Sequence, residues 1–207
     1  MPRKTMMTYF TPYQTQLQRH PAIHAQAVRG VEVQVGWRRG GVLALTFALE
    51  GDLALLRIPA PRLSRRTDNL WRHTCFEAFL RRKGGPAYYE FNFAPSGEWA
   101  AYAFCRYRDG MSLEQDLDPP HIIVRRTDDR LELDVLIRLE CLPLMQPRTR
   151  VQLALSAVVE DNRGALSYWA LRHSPGKPDF HHPDAFALEL EWPDIDPVSD
   201  PVEEKEQ

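Results

Sequence analysis

Apolar residues recur mainly at every second position of this chain, the spacing that puts alternate side chains on one face of a half-buried β-strand. The pattern is clearest over residues 31–37, 42–49, 131–137 and 151–159. Residues that favour turns lie between such segments: Gly40-Gly41, Asp128-Asp129 and Asn162-Arg163-Gly164. The sequence therefore predicts a chain built mainly of short β-strands.

The spacing of these strands indicates the fold class. Short strands at near-regular intervals, interrupted by 17 prolines and 11 glycines, are typical of a sandwich or jelly roll rather than of a parallel α/β fold. We expect a mostly β protein, an antiparallel immunoglobulin-like or jelly-roll β-sandwich, in a single domain over residues 1–193. The proline-bearing acidic segment 194–207 is predicted to be a disordered tail.

Composition narrows the range of partners. The chain carries 26 Lys and Arg against 28 Asp and Glu, so it lacks the basic excess that holds a nucleic-acid backbone. No apolar run approaches the ~20 residues of a membrane-spanning helix, and the first residues do not form a secretory signal. We therefore expect a cytoplasmic protein with neither nucleic acid nor membrane as a partner. Cys75, Cys105 and Cys141 are far apart and lack CxxC spacing, which indicates reduced thiols.

Residues 70–108 are predicted to form three strands, LWRHTCFEAFL, AYYEFNF and EWAAYAFCRYR, joined by the turns RRKGGP and APSG. If Leu80 pairs with Ala87 across the first turn, antiparallel register places Glu77 opposite Glu90. Two carboxylates in that position repel each other unless a cation, a shared proton or ligand hydroxyls compensate. The register thus predicts the floor of a binding site.

The second turn extends this face onto the third strand. If Phe93 pairs with Glu98, then Asn92 faces Trp99. The expected site face holds Cys75, Glu77, Phe79, Tyr88, Glu90, Asn92, Trp99, Ala101 and Ala103. The expected core face holds Phe76, Ala78, Leu80, Tyr89, Phe91, Phe93, Ala100, Tyr102 and Phe104. The alternative is a one-residue bulge that lets Glu77 meet Arg106 or Arg108 in an ordinary ion pair.

A second candidate region is SYWALRHSPGKPDFHHPDAF, residues 167–186, predicted as a strand that runs into a restricted loop. Pro175, Gly176 and Pro178 limit the conformations of this loop, so polar groups can be presented at low ordering cost. The polar groups expected at the rim of a site are His173, Lys177, Asp179 and His181. The potential metal ligands here match no zinc-site spacing, and an ordinary solvated loop is the alternative.

These regions resemble the DOMON-like ligand-binding superfamily, which includes family-nine carbohydrate-binding modules, and in particular a bacterial subgroup of DOMON-like proteins. The resemblance is carried by LWRHTCFEAFL (70–80), YYEFNFAPSGEWAAYAFCRYRDGM (88–111), SYWALRH (167–173) and KPDFH (177–181). It implies an immunoglobulin-like or jelly-roll sandwich, with sugars or haem as ligands elsewhere in the superfamily. By motif, it implies Trp71 and Glu77 at the Trp and acidic positions of the sugar-binding relatives, with Trp99 and Trp169 as further aromatic candidates.

The expected function is binding of a small ligand, a carbohydrate or a similar polyhydroxylated molecule, because such ligands need aromatic surface and convergent polar groups in a cleft. The expected ligand-binding residues are Trp71, His73, Cys75, Glu77, Glu90, Asn92, Trp99, Arg108, Trp169, His173, Lys177, Asp179 and His181. No catalytic residue and no metal ligand is assigned.

Two alternatives to sugar binding stay open. Glu77 and Glu90 could form the carboxyl pair of a glycoside hydrolase. His73, His173 or Met111 could supply axial ligands to haem. Calcium and haem are conceivable cofactors, and the sequence favours neither.

Overall fold

Strands dominate the regular secondary structure of the protein. A computed structural model describes residues 12–23, 26–110, 112–113, 117–145 and 149–193. Its strands are β1 (Tyr13–Arg19), β2 (Val28–Arg38), β3 (Val42–Gly51), β4 (Cys75–Arg82), β5 (Tyr88–Phe93), β6 (Trp99–Phe104), β7 (Ser112–Leu113), β8 (His121–Arg126), β9 (Arg130–Arg138), β10 (Arg150–Glu160), β11 (Leu166–Ala170) and β12 (Leu188–Glu191). The predicted tail, residues 194–207, lies outside the described residues.

Helical structure within the described ranges is limited to short 3-10 turns. These turns are Leu53–Leu55, Leu70–Arg72, Leu139–Cys141 and Pro183–Ala185. In the part of the chain that the structure describes, no helix has the length and apolar character needed to cross a membrane.

The strands form one continuous antiparallel sheet that curls back on itself. Hydrogen bonding links them in the order β7-β6-β5-β4-β10-β11-β1-β2-β3-β9-β8, with β12 beside β10. Strand β1 joins the two halves, because its residues 13–17 pair with β2 while Gln18 and Arg19 pair with β11. The predicted fold class, a mostly β antiparallel sandwich in a single domain, is confirmed.

The main hydrophobic core lies between the two halves of the sheet. The ring centroids of Phe47 on β3 and Phe76 on β4 are 5.3 Å apart, and those of Trp37 and Trp192 are also 5.3 Å apart. Strands β2, β3 and β9 bury every second side chain in this core, as the period-two pattern predicts. Strands β4, β5 and β10 are buried on both faces, because a second layer of residues covers their outer face.

The predicted register between β4 and β5 is wrong by two residues. Glu77 pairs with Asn92, and Glu90 pairs with Phe79. The reason is that β4 continues to Arg82 and β5 begins only at Tyr88, so residues 83–87 belong to the connecting turn, where Gly84 adopts a positive φ of 77°. Because side chains alternate with period two, an even shift leaves every residue on its predicted face. Glu77, Glu90 and Asn92 therefore do share the outer face.

The predicted register between β5 and β6 is wrong by one residue, and this error reverses the faces of β6. Phe93 pairs with Trp99 rather than with Glu98. Glu98 belongs to the turn, where its carbonyl accepts the Ala94 amide proton at 2.9 Å and Gly97 adopts a φ of 89°. Trp99 and its alternate neighbours Ala101 and Ala103 thus face the main core, whereas Ala100, Tyr102 and Phe104 face outward.

The position of Trp99 can be tested by stability. We expect Trp99→Ala to lower the free energy of unfolding by about 3–5 kcal/mol, because this side chain is 4% exposed and packs in the main core. Leu63→Ala is the control, with an expected change within about 0.5 kcal/mol, since Leu63 is 88% exposed. Chemical denaturation measures both. A cost for Trp99→Ala as small as that of the control would contradict the observed register.

Candidate functional site

The outer face of β4, β5, β6, β10 and β11 carries the candidate site. The segment 171–187, between β11 and β12, lies over this face and contributes Phe180, Ala185 and Phe186 to a second hydrophobic cluster. The cluster also contains Phe79 of β4 and Tyr88 of β5. Polar residues are interspersed on the same face, so the outer layer is both packed and chemically mixed.

A cavity of about 880 Å³ opens in this outer layer. Its size falls within the roughly 300–1,000 Å³ of small-molecule sites. Its aromatic lining residues are Trp71, Tyr102, Phe104, Tyr168, Phe180 and His181, and its charged ones are Asp68, Glu77, Glu90, Arg108 and Lys177. Trp71 is 46% exposed, and the Arg72 guanidinium lies 5.2 Å from the centroid of its ring.

Two buried carboxyl groups form one wall of the cavity. Glu77 is 2% exposed and Glu90 6% exposed. Ser156 Oγ donates to Glu77 Oε2 at 3.4 Å, and Asn92 Nδ2 donates to Glu90 Oε1 at 2.7 Å. Burial, followed by the charge of Glu90, raises the pKa of Glu77 well above its ordinary value, and burial also raises the pKa of Glu90. The pair therefore holds a proton at pH values where an exposed glutamate has lost it.

The imidazole of His181 lies between Glu90 and Tyr88, which are both residues of β5. The Arg108 backbone N–H donates to Tyr88 Oη at 3.1 Å, so the Tyr88 hydroxyl proton is free to donate to His181 Nδ1 at 2.8 Å. This arrangement assigns the proton of a neutral imidazole to Nε2, which lies 3.6 Å from Glu90 Oε2. Burial, together with the nearby charge of Arg108, lowers the pKa of His181 to about 4. The imidazole is therefore neutral at physiological pH.

Arg108 and Asp179 tie the end of β6 to the covering segment. Arg108, with a φ of 52°, donates from Nη2 to Asp179 Oδ1 at 2.7 Å. The Tyr107 hydroxyl donates to Asp179 Oδ2 at 2.5 Å, and the His181 amide donates to Asp179 Oδ1 at 3.1 Å. Burial alone would raise the pKa of Asp179, but these hydrogen bonds outweigh it and leave the pKa below its ordinary value. Arg108 is thus ion-paired with Asp179, and its charge also lowers the pKa of Glu77 and of Glu90.

The structure brings several predicted site residues together at the cavity. Those that line it are Trp71, Glu77, Glu90, Arg108, Lys177 and His181. Asn92 and Asp179 do not line the cavity, but Asn92 hydrogen-bonds to the lining residue Glu90 and Asp179 to the lining residue Arg108. Cys75 is fully buried beneath them, with Sγ 3.6 Å from Asn92 Oδ1, and burial raises the pKa of its thiol. Ligand binding by any of these residues stays a prediction.

Besides Cys75, Asn92 and Asp179, four predicted site residues do not line this cavity. Trp99 and Trp169 both belong to the main core; Trp169 is 5% exposed and its Nε1 donates to Ser167 Oγ at 3.1 Å. His173 Nε2 bonds the carbonyl of Gln18 at 2.8 Å. His73 Nδ1 bonds Glu160 Oε2 at 2.7 Å.

The predicted alternatives for Glu77 and for haem can also be placed. Strands β4 and β5 pair without a bulge, Arg106 bonds Asp109 and Arg108 bonds Asp179, so the alternative of an ordinary ion pair between Glu77 and one of these arginines is wrong. His73 and His173, two of the conceivable haem ligands, are both absent from the cavity lining. Met111 lies outside the described residues.

Several lining residues escaped the sequence prediction. Tyr102 and Phe104 were expected in the core because of the one-residue register error. Tyr168 and Trp169 are neighbours on β11, so their side chains point to opposite faces of the sheet. Had Trp169 been assigned to the inner face, Tyr168 would have been predicted on the outer face, where the cavity lies. Asp68 accepts the Tyr102 hydroxyl proton at 3.0 Å, and burial followed by this contact raises the pKa of Tyr102 to about 12. No local pattern marks Asp68, which lies in a segment without regular structure.

Metal-ligating groups can be surveyed within the described residues. No three side chains of His, Cys, Asp or Glu in these ranges come close enough together to hold a metal ion.

Comparison with solved structures identifies proteins of similar fold. A protein from Bacteroides uniformis described as a candidate carbohydrate-binding protein aligns with a TM-score of 0.64 and 14% identity, over 84% of this chain and 83% of that one. A family 9 carbohydrate-binding module from Caldicellulosiruptor kristjanssonii, in complex with glucose, aligns with a TM-score of 0.50 and 10% identity, over 95% of this chain and 88% of that one. At such identities the likeness shows the fold alone. No family model and no curated protein sequence matches the chain.

The raised pKa of Glu77 predicts a pH-dependent stability difference. Above about pH 4.3, the ordinary glutamate pKa, the folded protein holds a proton that the unfolded chain releases. The free energy of unfolding of the wild type should therefore fall relative to that of Glu77→Gln as pH rises, by at most about 1.4 kcal/mol per pH unit for one proton. Denaturation of both proteins across a pH series measures the difference.

The comparison of the two proteins isolates Glu77. His181, whose pKa is lowered to about 4, makes folding more favourable as pH rises from there, which is the opposite sign. This contribution is common to both proteins and cancels in the difference. A wild type that gains stability over Glu77→Gln with rising pH would show that the carboxyl is ionised and stabilised in the fold.

Proposed function

We propose that this protein is a DOMON-like binding module and that its cavity takes a carbohydrate or a similar polyhydroxylated molecule. The single observation that carries the proposal is the composition of the cavity: a buried wall of carboxyl and imidazole groups beside aromatic rings, in a volume of about 880 Å³. Sugar rings present apolar C–H faces and many hydroxyls, so they need both kinds of surface at once. A family 9 module in complex with glucose has a similar fold, so a sandwich of this kind can accommodate the proposed class of ligand.

Each part of the cavity has a role in this proposal. Trp71 offers an exposed indole face for the apolar side of a sugar ring. Glu77 and Glu90 accept hydrogen bonds from ligand hydroxyls, and the neutral His181 holds an Nε2 proton at the same wall. Because these groups are fixed by bonds to Ser156 and Tyr88 and their neighbours, the ligand meets a preformed surface.

Hydrolysis is the alternative use of the carboxyl pair. A glycoside hydrolase needs one protonated carboxyl and one ionised carboxylate, which requires environments that separate their pKa values. Burial raises the pKa of both groups, but the charge of Glu90 raises that of Glu77 further, whereas the bond from Asn92 acts against the rise at Glu90. The pair therefore meets this requirement, and hydrolysis of aryl glycosides that is lost in Glu77→Gln would favour the enzyme over the binding module.

Intrinsic fluorescence tests this proposal with a built-in reporter. Trp71 is 46% exposed, whereas Trp37, Trp99, Trp169 and Trp192 are 4–7% exposed. We expect saturable changes in tryptophan emission on titration with members of a panel of mono- and oligosaccharides, because a sugar stacked on Trp71 displaces water from the exposed indole. Trp71→Phe should abolish most of the signal while calorimetry still detects binding.

A second variant tests the contribution of stacking to affinity. We expect Trp71→Ala to weaken binding about tenfold, which corresponds to ~1.4 kcal/mol. Tyr13→Ala is a matched control, since Tyr13 is 48% exposed and does not line the cavity. If no sugar of the panel binds to protein that circular dichroism shows to be folded, the proposal is wrong.

A further inference from the structure

Neither Glu77 nor Glu90 bonds a lysine or an arginine within the described part of the chain, although the charge of Arg108 is near enough to lower the pKa of both. Arg108 itself bonds Asp179 at 2.7 Å, and Arg66 bonds Asp68 at 3.0 Å. His181 lies 3.6 Å from Glu90 and is neutral at physiological pH. Two adjacent acidic groups without a directly bonded counter-charge are costly to ionise in a buried site.

Each carboxyl also leaves one oxygen without a protein hydrogen bond. Ser156 bonds only Oε2 of Glu77, so Oε1 accepts no bond from the described residues. Asn92 bonds Oε1 of Glu90, and Oε2 is 3.6 Å from His181 Nε2, beyond a hydrogen bond. Both residues line the cavity although they are only 2% and 6% exposed. The two open oxygens are therefore acceptors that a guest in the cavity can reach and satisfy.

The aromatic side chains around the pair restrict the kind of cation that fits. A calcium ion takes six to eight oxygen ligands, and this wall supplies few oxygens beyond the two carboxyls. The faces of aromatic rings instead attract ammonium groups and cover the carbon atoms attached to them. Tyr102, Phe104 and His181 all line the same cavity as the pair. An organic ammonium matches both the charge and the walls.

We propose that the ligand of this cavity carries a protonated primary amine, as an amino sugar does, and that the ammonium group binds between Glu77 and Glu90. The inference rests on the proposed carbohydrate-binding function, because the hydroxyl groups of the same ligand would engage the rest of the cavity. The ammonium replaces the proton that the pair shares in the empty protein, and this proton leaves to solvent. Binding thus exchanges one cation for another at the buried wall.

The charged and titratable groups that face the pair or the cavity come from several elements. They are Asp68, Cys75, Tyr88, Tyr102, Arg108, Tyr168, Lys177, Asp179 and His181. Burial raises the pKa values of Cys75 and Tyr88 and raises that of Tyr102 to about 12, while His181 loses its proton at about 4. Cys75, Tyr88, Tyr102 and His181 thus keep their protonation state near neutral pH, so a proton released on binding does not come from these four neighbours.

Calorimetry with three related sugars tests the inference. Slightly below neutral pH, we expect D-glucosamine to bind at least about tenfold more tightly than D-glucose. N-acetyl-D-glucosamine should lose this advantage, because its amide carries no charge. The heat of D-glucosamine binding should depend on the ionisation enthalpy of the buffer, with about one proton released per ligand, whereas the heat of D-glucose binding should not.

Variants assign the preference to the carboxyl pair. Glu77→Gln and Glu90→Gln should each remove the preference for D-glucosamine and the buffer dependence. Glu191→Gln is the matched control: it removes one negative charge at a side chain that is 77% exposed on β12, and it should leave both unchanged. If Lys177 supplied the counter-charge instead, Lys177→Met would create an amine preference that the wild type lacks, and that result would overturn the inference.

The outcomes separate the two proposals. Equal affinity for D-glucosamine and D-glucose, without buffer dependence, would overturn the amine inference and leave carbohydrate binding intact. Equal affinity for D-glucosamine and cyclohexylamine, a ring amine without hydroxyls, would keep the amine site and overturn carbohydrate binding. Absence of binding by any of these compounds to the folded wild type would overturn both.

Discussion

The architecture of the site depends on one constraint: the central strands β4, β5 and β10 are covered on both faces. Their inner face is apolar and packs against the opposite half of the sheet, as any sandwich requires. Their outer face carries Glu77, Glu90 and Asn92 beneath a layer of its own. Polar groups that are removed from water in this way are costly unless they are hydrogen-bonded, and the hydrogen bonds at the site reduce this cost.

The covering segment is held by polar contacts as well as by its aromatic residues. Asp179 receives hydrogen bonds from Arg108 and Tyr107, and this fixes the start of the run that places His181 over Phe79 and Phe104. His181 in turn completes the hydrogen bonding of Tyr88. One side of the cavity is thus positioned by the sheet register. The other side is positioned by the hydrogen bonds of Tyr107 and Arg108, which follow β6, to Asp179.

The sequence carried enough information for the strands and for one face of the site, but not for the full register. Alternation of buried and less buried residues within β2, β3 and β9 survives in the structure, because each of these strands has an apolar inner face. The predicted faces of Glu77 and Glu90 also hold, since their register error is even. The face of Trp99 was wrong because the length of the turn before it depends on hydrogen bonds of Ala94 and Glu98, which no local pattern reveals.

Tertiary contacts account for what the sequence could not supply at the rim. His173 and Lys177 are close in sequence and both carry a polar nitrogen group. Nevertheless, His173 bonds Gln18 on β1, while Lys177 lines the cavity. The difference arises because β1 passes beside His173, although Gln18 on that strand is 155 residues away in the sequence. Sequence composition can nominate polar groups of a loop, but the packing of distant strands decides which of them remain available for a ligand.

The carboxyl pair shows why a shared fold does not transfer a ligand. Alternating apolar positions are enough to maintain this sandwich at 10–14% identity, because many apolar side chains fill the same core. The outer face is under a different constraint: Glu77 and Glu90 need specific partners in Ser156 and Asn92, and they leave specific oxygens open. Burial raises the pKa of both carboxyls, so the proposed amine would act by replacing a proton at the pair. The ligand must therefore be inferred from these side chains rather than from the fold.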